Sequence, residues 1–382
     1  MALDERTLVR PPTTLPDAPR LPSLRHFGPN WYAVVMGTAI VASAGAALPH
    51  RVPGLRGACT AVWALSALLL VAVLIARAGH WRHHRGQARA HLLDPAVAPF
   101  LGCPPMALLA VGGATYAAGA PVVGGRAALV VDAVLYSAGT VLGLAVAVAV
   151  PYLMVVRHRL EPGSAAPAWL LPLVPPMVSA ALGPPLIREL PAGQGREALL
   201  MGCYAMFGMS LLAVLAVLPL VVARLLHHGP LPLALTPTLF LVLGPLGQST
   251  TAVNQLADVA PGAVGDPYAS GLGALAVLYG VPATGFALLW LALSAALTVR
   301  ALRAGMGFAM TWWGFTFPIG TCVTGAAGLA RHTGLHAFGW LAEALFVCLV
   351  AAWALAAART VRGLLGGSLL AAPVRPSAVV TV

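Results

Sequence analysis

Ten long apolar runs are the feature of this sequence that most constrains its fold. An α-helix needs about 20 mainly apolar residues to cross the hydrocarbon core of a bilayer. Hydrophobic residues make up 59% of the 382 and charged residues only 9%, whereas a soluble domain carries about 25% charged residues. The sequence therefore predicts an all-α integral membrane protein and excludes a soluble enzyme. We number the runs as segments 1 to 10, at residues 28–48, 57–78, 95–118, 127–156, 168–188, 197–226, 231–256, 269–299, 308–330 and 336–360.

The connections between these segments predict how they are organised. Segments 1 and 2, 3 and 4, 5 and 6, and 9 and 10 are joined by short connections, which favours five helical hairpins in one membrane domain at 27–360. Residues 1–26 are polar and proline-rich and lack the apolar core of a cleavable signal peptide. They predict a disordered cytoplasmic tail, and residues 361–382 predict a second one. The five cysteines are widely spaced, which predicts neither a disulfide framework nor a metal site, and no cofactor is expected.

The arginines predict the orientation of the chain. All 22 basic residues are arginines, and sixteen of them lie in the two tails and in the loops on the same side. The positive-inside rule then places both termini in the cytoplasm. A net charge of +11 would suggest a nucleic-acid partner for a soluble protein, but these arginines are markers of topology and no nucleic acid is expected. The alanine-rich, lysine-free composition is typical of a GC-rich bacterial genome, so a bacterial inner membrane is the predicted location.

The odd-numbered segments differ from the even-numbered ones in their polar content. Segments 3, 5, 7 and 9 carry proline and glycine in mid-span, most of them beside hydroxyl or amide side chains. Proline kinks a helix, and backbone groups freed in lipid are tolerated only where protein covers them or where they line a wet cavity. Even-numbered segments also contain Pro151, Pro219 and Pro282, so proline alone does not separate the two classes. The pattern predicts kinked odd-numbered helices around a central pore and an outer ring of even-numbered helices. The residues expected at the kinks or along the pore are Gly37, Thr38, Pro104, Pro105, Pro175, Pro176, Ser179, Pro245, Gln248, Ser249, Thr316, Pro318 and Thr321. Further hydrogen-bond donors are expected along it at Thr250, Thr251 and Thr324.

Charged residues inside the apolar segments are functional candidates, because a charge in a membrane is costly. Asp132 and Glu343 each lie about ten ångströms from one end of their helices, at about 1.5 Å per residue. Arg331 ends segment 9 on the same side, so an Arg331–Glu343 ion pair is one prediction. A proton-coupling role for Glu343 or Asp132 is the alternative. Arg188 and Arg331 are also placed to draw anions toward an outer vestibule. The His- and Arg-rich residues 80–85 are expected to form a loop that is solvated or faces lipid headgroups, rather than a metal site.

The chemistry of the kinked segments favours a path for anions. Freed amides and partial helix dipoles attract anions without a full charge, and weak attraction suits conduction because an ion held too firmly does not leave. An intramembrane enzyme is disfavoured, since the sequence has no HExxH motif and residues 262–266 lack the spacing of intramembrane aspartyl proteases. A purely structural subunit would not explain polar, kinked helices in alternate segments. The residues leave open whether the chain is a channel or a carrier.

Short motifs in a fixed order make the sequence resemble a known family. The sequence resembles the tellurite-resistance/dicarboxylate transporter family. That family includes a bacterial tellurite-resistance channel homologue, malate permeases, sulfite pumps and plant slow-type anion channels. The resemblance covers about 25–360. The motifs are FGPxW at 27–31 followed by MGT at 36–38, PPM at 104–106, PPMVS at 175–179, GPxGQS at 244–249 and TFPIG at 316–320.

The resemblance implies a fold, an assembly and a set of substrates. It implies five hairpins in quasi-fivefold order, with odd-numbered helices lining a pore that a phenylalanine blocks midway. That phenylalanine precedes the proline of the ninth helix, which places it at Phe317 as the pore gate. A homotrimer in the lipid bilayer with one pore per subunit is also implied. The implied substrates are small anions, either chloride- or nitrate-like or a C4-dicarboxylate such as malate. The alternative is proton-coupled export of a dicarboxylate or of sulfite.

Overall fold

The computed structural model describes residues 24–50, 52–161, 163–367 and 369–370. The described chain is helical, and no β-strand occurs within those ranges. Residues 1–23 of the predicted N-terminal tail and residues 371–382 of the predicted C-terminal tail lie outside them. The last residues of the first tail, Leu24–His26, form a single 3-10 turn.

The even-numbered segments are long, uninterrupted α-helices. Each has at least 29 residues, which exceeds the need of a bilayer span. Pro151, Pro219 and Pro282 lie inside three of them without ending the helix. In the most apolar 18 residues of each helix, only 22–28% of the residues are buried, so most of their surface faces outward. Their bounds are Leu55–His83, Gly125–Val156, Gln194–His228, Tyr268–Arg303 and His336–Leu365.

Each odd-numbered segment instead begins as a 3-10 helix and continues as an α-helix. In segment 1 the 3-10 turn Pro29–Trp31 leads into Tyr32–Ala47, and 78% of the most apolar window is buried. The window of segment 3 is 61% buried. The two parts of segments 3, 5, 7 and 9 are Ala98–Gly102 and Cys103–Ala114, Pro167–Leu173 and Pro175–Leu182, Leu233–Val242 and Leu243–Val259, and Met310–Phe315 and Thr316–Thr333. Segment 3 continues through a π-helical turn at Thr115–Gly119 to Val123, and segment 5 through Pro184–Glu189.

The predicted kink prolines mark this change of helix type. They fall within the first three residues of an α-helical part, where a backbone N–H has no intrahelical acceptor and its loss breaks no bond. The prolines therefore begin the α-helical parts rather than break them. They are Pro104, Pro105, Pro175, Pro176, Pro245 and Pro318.

Seven helices of the described chain are long and apolar enough to cross a membrane, and they correspond to segments 1, 2, 3, 4, 6, 8 and 10. Segment 5 becomes an eighth if its parts Pro167–Leu173 and Pro175–Glu189, which are bent by 51°, form one span. Segments 7 and 9 are helical but are not among these spans. The prediction of a multi-pass helical membrane protein is confirmed. The count of ten crossings stays a prediction.

The odd-numbered segments form a closed inner ring. Segment 1 contacts segment 3, and the contacts continue from 3 to 5, 5 to 7, 7 to 9 and 9 back to 1. Each odd-numbered segment also packs against the even-numbered segment that follows it. Leu24 and Leu370 line the same groove, so the described chain begins and ends at one end of the molecule. We call this end the tail side and the opposite end the far side.

Glycines permit close contact within the inner ring. A Cβ at Gly247 of segment 7 would lie 2.5 Å from the backbone nitrogen of Cys322 in segment 9, so no larger residue fits there without displacing the backbone. Small residues let helix backbones approach in a membrane, where burial of apolar surface gives little driving force. The outer helices show the contrast, because a Cβ at Gly208 or Gly285 would meet nothing within 4 Å.

The prediction of a loop at residues 80–85 is wrong. His80 to His83 complete the last turn of segment 2, and a second helix, Arg85–Leu93, follows a break at His84. The His80 ring is buried, stacks on His91 with ring centroids 5.3 Å apart, and hydrogen-bonds through Nδ1 to the Leu24 carbonyl at 2.7 Å. This stretch therefore packs against Leu24 and against the helix Arg85–Leu93. Among the described residues, no group of three or more metal-ligating side chains is arranged to hold a metal.

Candidate functional site

A central cavity of about 400 Å³ lies within the inner ring. All of its lining residues belong to odd-numbered segments, and every one of those five segments contributes. The lining positions follow helical spacing, as in Gln248, Thr251, Gln255 and Asp258, because residues three or four apart share a face of an α-helix. From Phe317 to Arg331 the cavity extends by about 21 Å at about 1.5 Å per residue. Part of each odd-numbered segment thus faces one common cavity.

Phe317 lies at the inner end of this cavity. It is the second residue of the α-helical part of segment 9 and is only 3% exposed. A second, much smaller cavity of about 20 Å³ lies toward the tail side and is lined by Trp313 and Gly314 of the same segment. Phe317 therefore lies between a wide cavity and a nearly closed one. The wide cavity is lined by the later halves of the odd-numbered segments and the small one by their beginnings, so all five run in the same direction.

The segment that carries Phe317 packs tightly against segment 1. A Cβ at Gly37 would collide with the Thr316 hydroxyl and would lie 2.9 Å from the Trp313 ring. One turn after Thr316 on segment 9, a Cβ at Gly320 would collide with Ile40 of segment 1. Gly37 thus lies beside the cavity and is not part of its lining. Its small size lets segment 1 pack against Thr316, the residue that precedes Phe317.

The far-side mouth of the cavity carries all three of its charged lining residues, Arg188, Asp258 and Arg331. The Arg331 guanidinium lies 3.4 Å from one oxygen of Asp258, and His332 Nε2 lies 3.0 Å from the other. Arg188 is exposed, and its guanidinium has no ion pair or hydrogen bond within the described part of the chain. The mouth is therefore positive by one charge when His332 is neutral, while the deeper lining is uncharged.

The structure separates the predicted pore residues into two groups. Gln248 and Phe317 line the cavity, as do the predicted hydroxyl residues Thr251 and Thr324, whereas the predicted glycine, prolines and remaining hydroxyl residues do not. Ser249 accepts a hydrogen bond of 2.8 Å from the Tyr279 hydroxyl on segment 8 and donates to the Leu246 carbonyl. Successive residues of an α-helix point in directions about 100° apart. Gln248 therefore faces the cavity, while Ser249 faces segment 8.

The other predicted hydroxyl groups are also satisfied by protein. Ser179 accepts from Thr140 of segment 4 at 2.9 Å, and Thr38 accepts from Trp353 of segment 10 at 3.1 Å. Thr316 and Thr321 donate to carbonyls three residues earlier, at 2.8 and 2.7 Å. Hydroxyl groups in a membrane protein commonly bond to the preceding turn or to a neighbouring helix. Ser249, Ser179 and Thr38 therefore join the inner ring to the outer one through hydrogen bonds.

The predicted Arg331–Glu343 pair is absent from the described chain. Arg331 pairs with Asp258, and Glu343 pairs with His50 at the far side. The partners differ because segment 9 packs on segment 7 across the cavity mouth, which brings Asp258 to Arg331. Sequence reasoning missed Asp258 and His332, although Asp258 continues the spacing that begins at Gln248.

Asp132 lies behind the cavity wall. It is 1% exposed, and neither carboxylate oxygen has a hydrogen-bond partner in the described structure. Its Oδ1 would be 2.8 Å from a Cβ at Gly112, and the next residue, Gly113, lines the cavity. The carboxyl group is thus separated from the cavity by the helix of segment 3.

Comparison with known proteins decides the family of this chain. The family model described as voltage-dependent anion channel, SLAC1, matches residues 26–361. The chain belongs to the SLAC1 family. This membership confirms the resemblance found in the sequence motifs and makes the chain a membrane anion transporter.

Three relatives of this SLAC1-family chain are similar to it over nearly their full length. The sulfite efflux pump of Arthroderma otae is 28% identical, over 89% of this chain and 91% of the pump. The sulfite efflux pump of Trichophyton rubrum is 27% identical, with the same coverage of both chains. An uncharacterized transporter of Methanocaldococcus jannaschii is 23% identical, over 89% of this chain and 94% of its own length. The family and these relatives are channels and transporters, and none is named as an enzyme.

Proposed function

We propose that this SLAC1-family chain conducts small anions along a pore inside the ring of odd-numbered segments, with Phe317 as the gate. The observation that carries the proposal is a cavity lined only by those five segments that ends on Phe317. The ring at Phe317 fills the route between the two cavities and excludes water. Movement of this one side chain would join them.

The surroundings of the pathway suit a weakly bound anion. The charged lining residues lie at the mouth, where a net positive charge raises the local concentration of anions. The deeper wall offers the Gln248 amide and helix backbone rather than a full charge, which permits release. In this proposal all ten segments cross the membrane as five hairpins, because segments 7 and 9 complete the ring that encloses the cavity.

The proposal extends to substrate, location and assembly. Sulfite is the first anion to test, because two relatives are named sulfite efflux pumps; chloride, nitrate and malate follow. We propose a bacterial inner membrane with both termini, and hence the tail side, in the cytoplasm, as the arginine distribution predicts. We also propose a homotrimer with one pore in each subunit.

A second candidate function is proton-coupled export. Asp132 favours it, since a carboxyl behind the segment 3 wall of the cavity, with no hydrogen-bond partner among the described residues, is suited to accept and release a proton. In a carrier of this kind, protonation of Asp132 would alter the packing of segment 4 against segment 3 and so couple proton uptake to anion movement.

Anion flux from proteoliposomes tests both candidates. Efflux of sulfite, chloride, nitrate and malate is measured with and without an imposed proton gradient, and protein-free vesicles serve as the control. A channel releases one or more of these anions at a rate that the gradient does not change. A carrier needs the gradient, and Asp132→Asn removes that dependence whereas Glu343→Gln, at the His50 pair, keeps it. Flux of none of the four anions would contradict both candidates.

A further inference from the structure

An apolar groove of about 350 Å³ lies outside the anion pathway, between the first and last helices of the outer ring. Segment 2 contributes one wall from Leu65 to Ala76, and segment 10 contributes the other from Trp353 to Leu364. Eleven residues of helix rise by about 16 Å, which is about half of a hydrocarbon core of about 30 Å. The groove therefore has the depth of one bilayer leaflet, on the tail side.

The groove offers an almost entirely apolar surface to an occupant. Two of its three indoles bond to its two hydroxyl groups: Trp353 Nε1 donates to Thr38 at 3.1 Å, and Trp313 Nε1 donates to Thr360 at 2.9 Å. The two threonine hydroxyls donate in turn to carbonyls of their own helices, at 2.7 and 2.8 Å. Apart from these four groups and the indole of Trp31, every lining side chain is hydrocarbon, so the matching occupant is an apolar chain.

The groove opens toward the lipid. Its rim residues Leu65, Val361 and Leu364 are 41%, 54% and 40% exposed, and both walls are membrane-spanning helices whose surface is mostly outward-facing. Phospholipid chains fill such a surface in a bilayer.

The charges near the tail-side end indicate which lipid is preferred. Arg82 lies near the end of the segment 2 helix, and Arg359 and Arg362 lie near the end of the segment 10 helix, and all three are exposed. Arg77 lies there too, but it is buried and its guanidinium donates to the Phe27 carbonyl at 2.8 Å. The segment 2 helix contains no acidic residue, and the single acidic residue of the segment 10 helix, Glu343, is near its far-side start. We propose that the groove binds the acyl chain of an anionic phospholipid, whose headgroup lies at these arginine-rich helix ends.

The bound chain would touch the wall of the anion pathway. Trp313 lines the groove and also lines the small cavity on the tail side of Phe317. A single indole therefore separates the lipid from the pathway, and its ring lies against Gly37 beside Thr316. An acyl chain in the groove supports this indole from outside.

Native mass spectrometry of the purified full-length protein tests the proposal without measuring transport, so its failure is distinguishable from failure of the proposed function. The protein is exchanged into detergent and titrated with phosphatidylglycerol or phosphatidylcholine. We expect wild type to retain phosphatidylglycerol several-fold better than phosphatidylcholine. Ala72→Trp and Ala357→Trp, which fill the groove, lose that retained lipid. Ala351→Trp, on an exposed face of segment 10 outside the groove, keeps it.

A second variant tests the headgroup separately. Arg359→Gln together with Arg362→Gln leaves the groove open and reduces the preference for phosphatidylglycerol toward equality with phosphatidylcholine. Equal lipid retention by wild type and both tryptophan variants, each eluting as a folded species on gel filtration, overturns the proposal. A change of oligomer mass in the tryptophan variants without lipid loss would instead identify a contact between copies. Lipid gained on removal of residues 371–382 would identify that segment as the occupant. Either result overturns the proposal.

Discussion

The inner and outer helices of this molecule both contain proline, yet they have different structures. The outer helices are uninterrupted and 22–28% buried in their most apolar stretch, whereas segments 1 and 3 are 78% and 61% buried and change from 3-10 to α-helix. Pro219 lies inside an outer helix without ending it, while Pro318 begins the α-helical part of segment 9. Proline therefore does not determine the break. A helix can change type in a membrane only where neighbouring protein satisfies its backbone, and the inner ring provides that.

The largest expected effect is on folding, and glycines test it. Gly247→Ala places a methyl group against the backbone of segment 9, and overpacking of this kind costs about 1–3 kcal/mol. Gly285→Ala on segment 8 meets open space, and alanine favours a helix by up to about 1 kcal/mol. We expect a lower thermal transition for the first variant and an unchanged or higher one for the second, measured by loss of the monodisperse gel-filtration peak in detergent. Equal transitions would show that the two rings are packed alike.

A smaller effect, on anion entry, distinguishes a carboxylate of the inner ring from one of the outer ring. Asp258→Asn leaves Arg331 and His332 without their counterion, so the mouth becomes more positive. In a Phe317→Ala background, where entry rather than the gate limits flux, we expect several-fold faster anion influx at low ionic strength. The gain shrinks near physiological salt, where the Debye length falls to about 8 Å.

Glu343→Gln in the same background is the matched control. Glu343 pairs with His50 and does not line the cavity. Anion influx through the Glu343→Gln variant should therefore match that of the Phe317→Ala parent at every salt concentration. Equal anion influx through the Asp258→Asn variant and this control would show that the charge at the mouth does not affect anion entry.

The smallest effects come from two adjacent residues of segment 7. Gln248 lines the cavity, so Gln248→Leu should change the relative permeability of chloride and nitrate, read from reversal potentials. Ser249 faces segment 8, so Ser249→Ala should leave permeability ratios unchanged. Its lost bond to Tyr279 should cost about 0.6 kcal/mol, the average for such bonds between membrane helices. The opposite pattern would mean that the inner face of segment 7 is misassigned.

The sequence predicts the helices and their division into two classes, because apolar length and polar content are local properties. The cavity spacing of Gln248, Thr251, Gln255 and Asp258 was also readable from the sequence as one helical face. The 3-10 parts were not predictable, since their backbone depends on contacts with other segments. The Asp258–Arg331 pair joins residues 73 positions apart, and only the closure of the inner ring brings them together. Hydroxyl groups such as Ser249 were assigned to the pore because residue type alone does not give the direction of a side chain.

If Phe317 occludes the pathway, removing its ring raises the anion current, and a comparison of two variants with wild type measures that rise. Phe317→Ala and Phe286→Ala each remove one aromatic ring, the first between the two cavities and the second from a 39% exposed position on segment 8. Anion currents are recorded in planar bilayers at matched protein density for both variants and wild type. We expect a large rise in current for Phe317→Ala and a wild-type current for Phe286→Ala. A Phe317→Ala current equal to that of wild type would contradict occlusion by this ring.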